Sequence, residues 1–321
     1  MQPLERDESS KLCFDELKNN GLIKPNYNRW ATKEKGYQQG LILFGITKTY
    51  TPKKMFVKSY ENDRYGRSLT NAAINGNSLF DELNDFAAYY ILKKCGVRAP
   101  KFKLKAAHNA VYAFSTDIAQ HNKKYPQKNY AYYDMSDLPY TIDVQNAKLI
   151  PKPYCLTNDI IPIDVNSIIR FALMATIMNL IDLNTTNVGY VISDDGQRRI
   201  AKLATIDINF YLPEELKRYG SLGELVVNEL DNNLGSNYIK FEMYSPLVTS
   251  SACRDAFIKI ENNFLQACDE VEKHITNDMP FESQANKMKT LALIGVWRDK
   301  FRAIRELASI PANSHIQPCV I

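Results

Sequence analysis

Residues Arg170 to Tyr211 read RFALMATIMNLIDLNTTNVGYVISDDGQRRIAKLATIDINFY, and the order of signals in this stretch decides the fold. Phe171 to Ile181 is an uncharged apolar run, long enough for about three helical turns. Asp182-Leu-Asn-Thr-Thr-Asn187 follows as a polar cluster of turn formers. Val188 to Ile192 is a β-type run, and Asp194-Asp195-Gly196 carries the Asp-Gly signal of a hairpin turn. A second run, Ile200 to Ile206, returns and delivers Asp207 at its end. A buried helix, a polar loop and a hairpin therefore bring Asp182, Asn187 and Asp207 close together.

Two carboxylates and an amide in this order match what phosphoryl transfer requires. One carboxylate orients or deprotonates a hydroxyl nucleophile, while the amide and the second carboxylate hold a divalent metal that bridges the phosphates of ATP. Taken one at a time, Asp182 and Asn187 read equally as cap and turn residues, and Asp207 as the cap of a strand end. Their order and spacing together carry the functional reading.

Upstream of this stretch, a short amphipathic helix is predicted over Ser9 to Asn19, and Trp30 to Tyr60 reads as strands. Gly36 and Gly40 precede an apolar run but lack the G-x-G-x-x-G spacing, so a plain hairpin fits them as well as a phosphate-covering turn. Lys58 lies beside Phe56 and Val57 in a short strand. It either snorkels to water or anchors a phosphate, and the second role needs an acidic partner on a nearby helix. Ser78 to Cys95 supplies one: its apolar residues recur at helical spacing, Ser78 is a candidate N-cap, Gly96 ends it, and the partner is Glu82 or Asp85. Two strands follow, Lys101 to Ala106 and Ala110 to Thr116. Lys101, Lys103 and Lys105 project from one face of the first. That face is either a solvated edge or, with Lys123, Lys124 and Lys128, a polyanion site. Residues 120–155, rich in Tyr, Asn and Pro, read as a partly ordered connection, and Ile161 to Ile181 as one helix. After Tyr211 helices are predicted over 214–219, 223–232, 250–275 and 282–309, with Ser250 and Ser283 as cap candidates.

A chain of 321 residues with 45% hydrophobic and 24% charged residues suits one large domain or two subdomains with a sizeable core. No apolar run reaches the roughly 18 residues of a membrane span, and the polar start lacks the features of a secretory signal, so a soluble protein is expected. Six scattered cysteines with no C-x-x-C pair, and only four histidines, argue for reduced thiols and against a structural zinc site. The net charge of +4 is uneven: residues 1–130 hold 22 basic against 12 acidic residues, and residues 131–321 hold 18 against 24. A basic front half points to a polyanion partner, but basic and aromatic residues do not interleave as a nucleic-acid groove requires.

Lys58 on a strand, an acid on the next helix, then Asp182, Asn187 and Asp207 form an order that resembles the protein-kinase superfamily. It is more similar to the atypical branch, with HipA-like kinases and phosphatidylinositol 3/4-kinases, than to ordinary protein kinases. Asn84 to Pro100 resembles the HipA-like pattern of an acid, a helix and Gly-Val-x-x-Pro, with Asp85 in place of the usual Glu and Glu82 one turn away. Asp182-Leu-Asn-Thr-Thr-Asn-Val-Gly189 is similar to the catalytic loop D-x-x-x-x-N-x-G of that branch, and Thr205-Ile-Asp207 resembles its metal-binding strand end.

The resemblance implies an α+β, bilobal protein-kinase-like fold: an N-lobe of antiparallel sheet plus one helix, and a mainly helical C-lobe. The corresponding division is an extension over 1–28, an N-lobe over 29–119 and a C-lobe over 120–321. It further implies ATP with Mg²⁺ or Mn²⁺ as cofactors, Lys58, Asp85, Glu82 and Phe114 toward the nucleotide, Asp182 as base or orienter, and Asn187 and Asp207 on the metal. The acceptor would be a hydroxyl, of a protein rather than a lipid. There are departures: Leu180-Ile181 stand where His-Arg is usual, and Ile208-Asn209 follow Asp207 in place of Phe-Gly. They fit a conditionally active kinase or a pseudokinase. The Asn- and Lys-rich style and the basic lobe look like effector kinases secreted by bacteria such as Legionella into host cytoplasm or onto host membranes, some of which need inositol hexakisphosphate. The rival classes are a non-catalytic module that binds phosphoinositide or inositol phosphate, and a structural scaffold.

Overall fold

Five antiparallel strands make the sheet of the first lobe: β1 (Tyr27–Thr32), β2 (Gln38–Ile46), β3 (Pro52–Asp63), β4 (Phe102–Ala107) and β5 (Ala110–Thr116). The computed structural model describes residues 6–32, 38–46, 52–63, 82–107, 110–119, 129–181, 183–210, 222–232, 241–280 and 282–309. The strand order is β1-β2-β3-β5-β4, because the chain enters β4 at the edge after helix α2 (Glu82–Lys94), and β5 then folds back between β4 and β3. Register decides the faces. Val57 pairs with Phe114 and Lys58 with Ala113, so these two pairs point to opposite sides of the sheet. On one side helix α1 (Arg6–Asn19) brings Phe14 and Leu17 onto Leu41, Leu43, Val57, Tyr112 and Phe114. On the other, α2 lays Leu83, Ala87 and Ile91 into the main core together with Ala113 and Phe102.

A Schellman motif ends α2. Val97 N–H donates to Leu92 O (2.9 Å) and Gly96 N–H to Lys93 O (3.1 Å), with Gly96 at φ 82°. Gly96 therefore closes the helix as its sequence position implies, whereas Ser78 lies outside the described residues.

The second lobe is built on helix α3 (Val165–Met178), whose buried Phe171, Leu173, Met174 and Ile177 form the centre of the main core. The strands of this lobe are β6 (Asn129–Asp134), β7 (Tyr140–Asp143), β8 (Lys148–Pro151), β9 (Ile161–Pro162), β10 (Leu180–Ile181), β11 (Val188–Asp194), β12 (Arg199–Thr205) and β13 (Asn209–Phe210). They form three small antiparallel sheets, β12-β11-β6, β7-β8-β9 and β10-β13. Helices α4 (Leu222–Asn232), α5 (Ser250–Asn277) and α6 (Gln284–Ser309) close around α3, with Phe264 stacked on Phe301 at 4.4 Å between the last two. The chain is α+β, an antiparallel sheet region followed by a mainly helical region.

Three expectations change. Residues 161–181 are not one helix: Pro162 lies in strand β9, α3 begins after Asp164, and Asn179 stops it in the left-handed region at φ 52°, which Asn tolerates. Residues 120–155 are not a loose connection throughout, since the tyrosine-rich part supplies β6 and then β7 and β8. Thr249, not Ser250, caps α5 by accepting from Ala252 N–H at 3.3 Å, whereas Ser283 accepts from Asn286 N–H at 3.1 Å as expected. The helix expected over 214–219 lies outside the described residues.

Candidate functional site

Lys58 stands on β3 on the face shared with α2, and its Nζ reaches across to Asp207 Oδ1 at 2.8 Å. The lysine side chain is 13% exposed and the carboxylate 36%, so the lysine is largely covered and the carboxylate partly open to water. Hydrogen bonds hold the path to Asp207. The Thr205 hydroxyl lies 3.2 Å from the Asn187 carbonyl and 3.0 Å from the Asp207 carbonyl, and Ile206 N–H donates to Asn187 O at 2.9 Å. The backbones of the two residues expected on the metal are thereby locked together.

Asn184 shapes the polar loop from within. Its side-chain oxygen accepts from Thr186 N–H (3.0 Å), Thr186 Oγ1–H (2.6 Å) and Asn187 N–H (2.9 Å). This is the Asx-turn chemistry that an Asn followed by two threonines offers, and it is the signal by which Asn184 can be found in sequence. Gly189, just after the loop, has another reason: a Cβ there would lie 2.1 Å from Tyr133 O and 2.5 Å from Asp134 Cα on β6. Only glycine lets β6 close on β11 at this point.

From α2, buried Asp85 and Tyr89 one turn later face the same place. Tyr89 Oη donates to Ile206 O at 3.1 Å, and its ring stacks on Phe102 at 4.9 Å. Burial, and then the neighbouring carboxylates of Asp207 and Asp85, push the Tyr89 phenol well above its ordinary pKa, so it remains a neutral donor. Tyr89 ties the helix of one lobe to the segment that carries Asp207, a role no local pattern announces. Glu82 is half-buried at the start of the same helix.

A small apolar cluster lies on the face of the β12-β11-β6 sheet turned away from the main core: Ile118, Val191 and Ala204, with Tyr130, Tyr132 and Ile206 against them. The opposite face of that sheet, with Tyr190, Ile192, Ala201 and Leu203, is absorbed in the main core.

Other expected residues fall elsewhere. Phe114 is not at this site: it shares its face with Val57, packs under α1, and points away from Lys58. Lys105 is withdrawn from the polyanion site, because its ammonium donates to Leu22 O and lies 4.9 Å over the Phe114 ring. Burial, and then Lys103 and Lys24, hold its pKa down. Lys101 and Lys103 are exposed. Asp182, Lys123 and Lys124 lie outside the described residues. Among the described residues no group of three His, Cys, Asp or Glu could hold a metal. Asn187 and Asp207 nonetheless supply the hard oxygen donors that Mg²⁺ takes alongside phosphates and water.

No protein-family model matches the chain, and no curated protein matches it in sequence. Solved structures do resemble it. The proinflammatory kinase CtkA of Helicobacter pylori is 15% identical with a TM-score of 0.46, over 83% of this chain and 94% of its own. The Rio2 kinase of Chaetomium thermophilum, in its ADP/Mg²⁺-phosphoaspartate complex, is 11% identical with a TM-score of 0.40, over 90% and 76%. HipA of Shewanella oneidensis, from a toxin–antitoxin complex with HipB and operator DNA, is 7% identical with a TM-score of 0.39, over 97% and 74%. Two of these three are named as kinases. The likeness is one of fold and assigns no role to any residue.

Proposed function

We propose that the chain is an ATP-dependent phosphotransferase that uses Mg²⁺ or Mn²⁺ and acts on a hydroxyl of a protein. The observation that carries this reading is the Lys58–Asp207 contact of 2.8 Å between the two lobes, with Asn187 bonded to the same segment. Lys58 would exchange its carboxylate partner for phosphate oxygens, with Asp85 or Glu82 holding the lysine from α2. Asp207 and Asn187 would hold the metal, which when bound offsets the charge of the phosphates. The apolar cluster around Val191 and Ala204 would receive the base. Asp182 would orient the acceptor and take its proton as the hydroxyl oxygen bonds to the γ-phosphorus and the bond to ADP breaks. The lobes would divide near residue 119, with the described part of the extension, residues 6–28, packed onto the first.

A second reading, a binding module for inositol phosphate or phosphoinositide, finds support in the exposed Lys101 and Lys103. The deciding experiment is transfer of labelled γ-phosphate with Mg²⁺ or Mn²⁺, with and without inositol hexakisphosphate, in wild type and Asp207→Ala. Transfer that is lost in the variant is expected. Nucleotide binding without transfer under any condition would favour the binding module, and failure to bind ATP would sink the site reading.

A further inference from the structure

Arg98 lies in the link between α2 and β4, and its backbone is already engaged with the strand that leads to Asp207. It bridges Ala204, and its carbonyl accepts from Thr205 N–H at 3.1 Å. The side chain runs on to the connection between the lobes. Its Nη2 donates to Ile118 O at 2.9 Å, and its guanidinium carbon lies 5.1 Å over the Tyr130 ring. Ile118 follows β5 and Tyr130 belongs to β6, so one side chain joins the two flanks of that connection to each other and to β12.

Ile118 and Tyr130 also belong to the apolar cluster on the face of the β12-β11-β6 sheet turned away from the main core. Two buried polar atoms beside this cluster have no hydrogen-bond partner among the described residues: Arg98 Nε and the Tyr132 hydroxyl. Burying a guanidinium with a donor unused is a cost that a plain packing residue such as Met would avoid. An arginine here is therefore better explained by what it holds in place than by stability.

We propose that Arg98 is a positioning residue that sets the spacing of the slot receiving the nucleotide base, by fixing Ile118 and Tyr130 on either side of it. This rests on the phosphotransferase reading. The loss of one charge-assisted hydrogen bond and one cation–π contact predicts about tenfold weaker nucleotide binding in Arg98→Met. Arg98→Lys, which keeps a donor but not the planar stack, should lose less.

The test is a titration with a fluorescent N-methylanthraniloyl ATP and Mn²⁺, alongside thermal melting, on wild type, Arg98→Met, Arg98→Lys, Tyr130→Leu and the Arg98→Met/Tyr130→Leu double variant. The double variant is expected to bind no more weakly than Arg98→Met alone, and where turnover is measured KM for ATP should rise more than kcat falls. Binding by Arg98→Met within twofold of wild type overturns the proposal, as does a double variant whose loss is the full product of the two single losses. If Arg98→Met does not fold, Tyr130→Leu and Arg98→Lys decide, and unchanged binding in both overturns it. A wild type that does not bind the probe overturns the phosphotransferase reading and the proposal together, whereas a wild type that binds, with unaffected variants, removes Arg98 alone.

Discussion

Breaking the Lys58–Asp207 pair has an effect whose size follows from its geometry. The contact is 2.8 Å, the lysine is largely covered and the carboxylate is about a third open to water. Cutting one partner from a fully buried pair costs about 3–5 kcal/mol. A fully exposed pair is worth about 0–1 kcal/mol. A half-open pair between these limits should show a coupling of about 1–2 kcal/mol. Lys58→Met also leaves the Asp207 carboxylate beside Tyr89 and close to a second carboxylate, Asp85, with its cation gone.

Urea unfolding of wild type, Lys58→Met, Asp207→Asn and the double variant measures that coupling directly, free of any assumption about activity. The same four proteins melted with and without Mg²⁺ and ATP then address function. Ligand at a hundred times its Kd adds about 2.7 kcal/mol to the wild type. Both single variants should lose most of that gain, because each removes one of the two groups that would meet the phosphates and metal. A coupling within about 0.5 kcal/mol of zero would refute the magnitude argued from the covered lysine, and the contact would no longer support the function. A clear coupling with no nucleotide stabilisation would leave the ion pair as a structural strut between the lobes.

Two further outcomes follow from local geometry. Gly189→Ala puts a methyl group 2.1 Å from a backbone oxygen of β6, so the strand must move; a loss of about 3 kcal/mol or failure to fold is expected in a urea titration, and a wild-type midpoint would refute the close approach. Glu270 on α5 is held by Lys94, Tyr90 and Gln266, in that order, which lower its pKa to about 2. Its contribution to stability is therefore present above the ordinary carboxylate pKa of 4.5 and is lost as pH falls toward 2. The difference in urea midpoint between wild type and Glu270→Gln should hold at neutral pH and close over that interval, and a difference unchanged down to pH 2 would show the hydrogen bonds to be absent.

What can be read in the sequence here is what neighbouring residues settle among themselves. The Asp-Gly turn, the two β runs around it and the carboxylate at the end of β12 are local, and all three are where the pattern puts them. Gly96 ends α2 because the left-handed turn it adopts is a property of a single residue. The readings that fail depend on what another layer brings. Register puts Lys103 and Lys105 on one face, but α1 and the turn through Leu22 cover part of that face and draw Lys105 in. Phe114 alternates with Ala113, and nothing local says that Ala113, not Phe114, shares a face with Lys58; that follows from the register of β3 against β5 and from the side on which α2 packs. Tyr89 and Arg98 go unnoticed for the same reason, since their partners Ile206 and Ile118 are 117 and 20 residues away along the chain. Among the candidate residues, Asn187 and Asp207 are thus the legible ones, announced by a turn and a strand end. The residues that hold them at working distance have meaning only between the lobes, which is why substitutions at Tyr89 and Arg98 test the site in a way its motifs do not.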